Sequence, residues 1–109
     1  MTFAAFSTPA QAEPAWMCGG NWFCAYDGFD GQDQILDAYG ACGAIINIGN
    51  MGKGDRISSI WNKLPNRRVN LLNWTGSAWE TIWSTVPGDV PHNLGPHANN
   101  RADAVEFVC

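Results

Sequence analysis

GDRISSIWN, Gly54 to Asn62, has a counterpart later in the chain: Asn99-Asn100-Arg101-Ala102 stands forty-five residues beyond Gly54-Asp55-Arg56-Ile57. At the same offset Phe29-Asp30-Gly31 falls on Trp74-Thr75-Gly76, Tyr26 on Leu71, and Cys42-Gly43 on Pro87-Gly88. Self-similarity at a fixed period marks a repeated supersecondary unit. Glycines at equivalent places imply a backbone with positive φ or a close approach in each half. Each half is therefore expected to be one four-stranded unit of about forty-five residues, and two such units packed face to face make a sandwich.

The local pattern agrees. Trp22 to Tyr26, Ala44 to Ile48, Ile57 to Trp61, Val69 to Leu72, Trp79 to Trp83 and Ala104 to Val108 are short runs rich in β-branched and aromatic residues. Each is bounded by Gly, Pro, Asn or Asp, so they read as strands. Val105, Phe107 and Cys109 share one face of the last run, and Glu106 and Val108 the other. Gln32 to Tyr39 has weak periodicity around Ile35 and Leu36 and is expected to hold at most a helical turn. The architecture expected is all-β.

With 109 residues there is room for one domain. The chain is 46% hydrophobic and 15% charged, against the ~25% charged share of an average domain, so it buries a core. A net charge of -4 argues against nucleic acid or an anionic membrane as partner, because phosphate binding needs a basic surface. No apolar run approaches the ~18 to 20 residues of a membrane-spanning helix. Residues 1–12, MTFAAFSTPAQA, end in Ala10-Gln11-Ala12, the A-x-A form of a signal-peptidase site. They read as the remnant of an export signal, with the domain beginning at Glu13 and running to Cys109, and a secreted, extracellular monomer is expected.

Cys18, Cys24, Cys42 and Cys109 are even in number in a short chain with an export-like leader, which reads as two disulfides. The spacings lack the C-x2-C pairs of a zinc site. Four cysteines allow three pairings. Cys18–Cys24 with Cys42–Cys109 is favoured, because the first closes a short loop and the second ties the last residue to the body.

The phrases NWFCAYDGFDG, GDRISSIWN, VNLLNW and NNRADAVEF together resemble the two-Greek-key βγ-crystallin domain. More narrowly they are similar to its secreted actinobacterial branch, the Streptomyces metalloproteinase inhibitor type. The resemblance covers residues 16 to 109 and implies two Greek-key motifs packed as a βγ-crystallin-like sandwich. It also implies a calcium clamp in which each ion is held by a side-chain oxygen of one motif with a hydroxyl and a backbone carbonyl of the other. Oxygen ligands suit that hard cation. Carried onto this chain, the ligands are Asp55, Ser58, Asn100 and Asp103, with carbonyls from Arg56 and Arg101. The chain departs from the pattern at Gly54, which lacks the first polar side chain, and at Asp103 and Ala104, which replace hydroxyls. The bland alternative is that these Asp, Asn and Ser residues cap turns.

Other features carry less. Asp27, Asp30, Asp33 and Asp37 lack the ligand spacing of an EF-hand and read as a solvated loop. His92 and His97 lie five apart in a Pro/Gly segment, unlike the four-residue spacing of metalloprotease histidines, and read as loop residues. No G-x-S-x-G elbow is present, so no enzyme activity is expected. The six tryptophans offer flat apolar faces that could form a carbohydrate- or peptide-binding strip, but several are expected to point into the core. The resemblance implies an inhibitor of an extracellular metalloproteinase, for which Gly49 to Gly54 and Pro87 to Asn99 are positional candidates as reactive loop. A calcium-stabilised structural or binding module, and a killer-toxin-like antimicrobial protein, are the alternatives.

Overall fold

The computed structural model describes residues 15–109. The export-signal reading of residues 1–12 and the domain start at Glu13 lie outside the described residues. Within them eight strands run β1 Phe23–Tyr26, β2 Gln34–Ala38, β3 Ile45–Asn47, β4 Ser59–Asn62, β5 Arg68–Trp74, β6 Trp79–Thr85, β7 His92–Asn93 and β8 Ala104–Val108. The only helical pieces among the described residues are two 3-10 turns, Phe29–Gly31 and Gly49–Met51. No helix there is long and apolar enough to cross a membrane.

All pairings are antiparallel and form two four-stranded sheets, in the orders β2-β1-β4-β7 and β3-β8-β5-β6. Each half supplies four strands, but neither sheet belongs to one half alone. The third strand of each half crosses over, so β3 joins the second sheet beside β8 and β7 joins the first beside β4. Neither half can bury its apolar face without a strand of the other.

The offset of forty-five residues is structural. It carries β4 onto the first residues of β8 and β2 onto the first residues of β6. It also carries Gly31 (φ 69°) onto Gly76 (φ 100°) and Gly43 (φ 83°) onto Gly88 (φ 61°), left-handed conformations that side chains resist.

Between the sheets lie Phe23, Ile48, Ile57, Ile60, Val69, Leu71, Val105 and Phe107, all essentially inaccessible. The alternation expected in β8 holds: Val105 and Phe107 face this core, whereas Glu106 and Val108 do not. Burying side chains of this size stabilises by ~1.5 to 3 kcal/mol each, before the entropy of ordering the chain is subtracted.

Three expectations need correction. Gln32 to Tyr39 holds a full strand, β2, whose residues pair with β1 from Phe23↔Ala38 to Tyr26↔Gln34 across a bulge. Only Leu36 faces the core squarely, so the two-residue period is too short to read, and the pairing itself makes the strand. His92 lies not in a loop but on β7, opposite Ile60. None of the six tryptophans is fully buried, and of those expected to point inward Trp83 packs against the core only from its margin. On β6 the register shifts opposite Leu71/Leu72, so that Leu71 faces Trp83 while Leu72 faces Thr81. That bulge turns Ile82 inward and leaves Trp79 and Trp83 half-buried.

Two disulfides join Cys18 to Cys24 and Cys42 to Cys109, with Cα atoms 5.8 and 5.4 Å apart. The favoured pairing is the one found, and it suits an oxidising compartment.

Candidate cation site between the two halves

The segments 54–59 and 99–104 enter β4 and β8, and the crossed topology brings them side by side. Asp55 donates its backbone N–H to the Ala102 carbonyl and Asn100 donates its own to the Ile57 carbonyl, both at 2.9 Å. A second reciprocal pair, Gly49 N–H to Asp103 O at 3.0 Å and Leu94 N–H to Ser58 O at 2.9 Å, repeats the relationship one layer out. The halves are thus stitched through these two motifs.

The reciprocity decides which side chains meet. Ser58 Oγ donates to Asn100 Oδ1 at 3.0 Å. The Asp55 carboxyl group is coupled by charge and hydrogen bonding to that of Asp103, so the residues fall into two cross-half pairs. Partial burial pushes the Asp55 carboxyl above its ordinary range, the charge and hydrogen bond of Asp103 push it further, and Arg101 acts in the opposite sense. Two carboxyl groups in contact favour a shared proton or a cation.

Around Asp103 the oxygens converge. In the orientation that satisfies its neighbours, the Asn73 amide nitrogen donates to Asp103 Oδ2 at 3.2 Å and to the Arg101 carbonyl at 3.0 Å. One atom therefore reaches both of these candidate ligands. Asp103 Oδ2 also accepts the Trp74 N–H at 2.9 Å. The Arg101 guanidinium turns away, to the His97 carbonyl at 2.7 Å and to Glu80 at 3.4 Å. At the other position Asn99 Oδ1 is buried and has no partner among the described residues. The Arg56 side chain is drawn off to Asp27, with Nη2 2.8 Å from Oδ2.

Gly54 has a reason to depart from the polar pattern. A Cβ there would stand 3.0 Å from Asp103 Oδ1 and 3.2 Å from the Gly49 Cα, so the site closes tightly only around glycine. Ser59, the last position of the first motif, accepts the Gly31 N–H at 3.0 Å and donates to the Gly28 carbonyl at 2.7 Å, locking the turn after β1. Its equivalent Ala104 lacks the hydroxyl, and Asp103 secures the corresponding β5–β6 hairpin through Trp74 instead.

Asn73 and Ser59 were not among the residues singled out as ligands; the repeat points to Ser59 through the motif, whereas nothing local marks Asn73. Among the described residues no three His, Cys, Asp or Glu side chains converge, so the site consists of two carboxyl groups with amide, hydroxyl and carbonyl oxygens. Of the acidic residues at 27, 30 and 33, Asp27 pairs with Arg56 and Asp30 Oδ1 accepts from Asn93 Nδ2 of the other half at 2.8 Å, while the Asp33 carbonyl accepts the Asp27 N–H at 2.9 Å. His92 Nε2 lies 3.1 Å from Asp89 Oδ2. Compared with protein-family models, with curated proteins and with solved structures, the chain matches none.

Proposed function

We propose that this chain is a secreted, disulfide-closed domain of the βγ-crystallin type, built from two Greek keys, that acts by binding rather than catalysis as an inhibitor of an extracellular metalloproteinase. The strand exchange between the halves and the sequence resemblance support the family reading. The observation that carries the inhibitory reading is the loop from Gly49 to Gly54. Met51 stands half-exposed at its apex, while the backbone beneath is tied down on both sides. Gly49 N–H reaches Asp103 O, Asn50 N–H reaches Asn47 Oδ1 at 3.1 Å, Lys53 N–H reaches Ile48 O at 2.9 Å, and Lys53 Nζ reaches Ile35 O at 2.7 Å. A loop already held in one shape loses little entropy on docking, and a protease that binds it cannot easily draw the bond into a productive geometry. Titrating the oxidised protein against a panel of metallo-, serine and cysteine proteases tests this: stoichiometric loss of metalloprotease activity supports it, and full activity across the panel sinks it.

A second reading rests on the cross-half pairs. Asp55, Asp103 and the Arg101 carbonyl would hold one calcium ion, with the Asn73 amide, which donates to Asp103 and to that carbonyl, giving way to it. Ser58, Asn100 and the Arg56 carbonyl would hold another more weakly, for lack of any carboxylate. The first donor set fits a hard cation, because it supplies oxygens and two negative charges whose repulsion the ion would relieve. Bound calcium would supply cross-linking of the halves, raising stability by mass action. A rise in melting temperature with millimolar calcium that Asp103→Asn abolishes is the expected outcome. An identical melting temperature with calcium and with EDTA would refute the clamp while leaving the inhibitory loop untouched.

A further inference from the structure

At the end of the second sheet, away from the protein core, the β5–β6 hairpin and the turn after β3 enclose a cleft of about 470 Å³ lined by Asn47, Gly49, Asn50, Trp74, Trp79 and Asp103. That size lies within the range of small-molecule sites, ~300 to 1,000 Å³. We propose that this cleft binds a neutral carbohydrate, with the Trp74–Trp79 pair as its apolar platform and the Asn47, Asn50 and Asp103 side chains as partners for sugar hydroxyls.

The chemistry of the cleft selects that ligand class. Trp74 is 48% exposed, and its ring stands at 64° to Trp79 with centroids 5.0 Å apart. An edge-to-face pair of this kind leaves an indole face uncovered, and such a face suits the apolar C–H side of a sugar ring. The platform is fixed in place, because Trp74 and Trp79 are paired in register and the Trp74 N–H is held by Asp103. Its preorganisation lowers the entropy cost of binding.

The opposite wall is polar and short of partners. Asn47 Oδ1 accepts the Asn50 N–H, which leaves the Asn47 NH2 and the whole Asn50 side chain without a protein hydrogen bond among the described residues. Planar amides offer a donor and an acceptor side by side, the arrangement that adjacent hydroxyls can satisfy. A wholly apolar ligand would leave these groups desolvated and unpaired. Asp103 and the net charge of -4 disfavour an anion. A peptide adding as a strand needs a free sheet edge, and this cleft lies across the strand ends instead. Gly49 completes the floor: a Cβ there would come 3.2 Å from Asn47 Oδ1 and 3.7 Å from the Asp103 carbonyl.

The test is a set of ¹H–¹⁵N correlation spectra of the oxidised chain in EDTA, titrated with chitotriose, cellotriose or maltotriose up to about 10 mM, a range that detects weak sites. At least one sugar should shift the indole N–H signals of Trp74 and Trp79 while that of Trp22 stays in place. Trp74→Ala, at an exposed position, should keep the fold and weaken binding by about 10-fold or more, as removal of an aromatic anchor does. If that variant does not fold, Asn50→Ala supplies the same comparison. Still signals with all three sugars, or undiminished affinity in the folded variant, would each overturn the proposal.

Discussion

Asp55 and Asn100, forty-five residues apart, adopt the same left-handed backbone, φ 58° and 59°, and each donates its N–H to a carbonyl of the other half. Two strained residues in equivalent places, each held by the opposite motif, are the structural signature of the repeat. They also explain why Asp and Asn occupy these positions, since among residues with side chains these two tolerate the conformation best.

Replacing either residue by alanine places a Cβ in that region without a polar side chain to compensate. Asp55→Ala and Asn100→Ala are each expected to lower stability by about 1 to 2 kcal/mol, while the corresponding glycine variants stay within about 1 kcal/mol of the parent. Urea unfolding measures this. Equal losses for alanine and glycine would show that the side chains, not the backbone, set the cost.

The pH dependence of stability should have two opposed components. The Asp55 carboxyl is held above its ordinary 3.8, so the folded state takes up this proton before the unfolded chain does. Its contribution is fully present below the ordinary value and is lost as pH rises through the folded one. Asp89 goes the other way. Partial burial acts to raise it, but hydrogen bonds from His92 and from the Val90 and Val86 N–H groups outweigh that and hold it below 3.8. Its contribution is present above the ordinary value and is lost as pH falls through the folded one. In melting curves recorded in EDTA from about pH 3 to 7, Asp55→Asn should remove the loss on the higher side and Asp89→Asn the loss on the acid side. A parent curve unchanged by Asp55→Asn would mean that the contact with Asp103 carries no free energy.

The disulfides should differ in weight. Cys42–Cys109 closes a loop of 67 residues and Cys18–Cys24 one of 6. Loop-closure entropy gives about 4 kcal/mol for the first and about 2 for the second. Paired serine variants compared by denaturant unfolding check the order, and a larger loss from the Cys18–Cys24 pair would contradict it.

Much of this architecture was legible because the repeat and the strand pattern are carried by residues whose physical demands are local. Ala104 to Val108 could be read as β8 from alternation alone, and Gly31, Gly76, Gly43 and Gly88 from their need for positive φ. Strand β2 escaped because one inward residue, Leu36, makes no pattern. Yet the offset projects Trp79 to Trp83 directly onto Gln34 to Ala38, a signal that the repeat already contained. The exchange of β3 and β7 between sheets depends on tertiary pairing and has no local mark. The same holds for Asn62, which is fully buried in β4. Its amide donates to the Arg67 and Val86 carbonyls and to Thr85 Oγ1, and its oxygen accepts the Leu64 N–H. At the candidate site the motif positions gave the residues, and the reciprocal stitching of the halves gave the pairs Asp55 with Asp103 and Ser58 with Asn100. Asn73 was invisible because it reaches the site from another strand.

The inhibitory reading is tested most directly by titrating a metalloprotease with the oxidised protein and, in parallel, with Met51→Asp, which places a charge at the apex of the pinned loop without touching the core. The parent should abolish activity at a one-to-one ratio, and the variant should weaken inhibition by about 100-fold or more, the cost of forcing an unpaired charge into an interface. Equal inhibition by both proteins would move the contact away from Met51, and no inhibition by the parent against any metalloprotease tested would contradict the account.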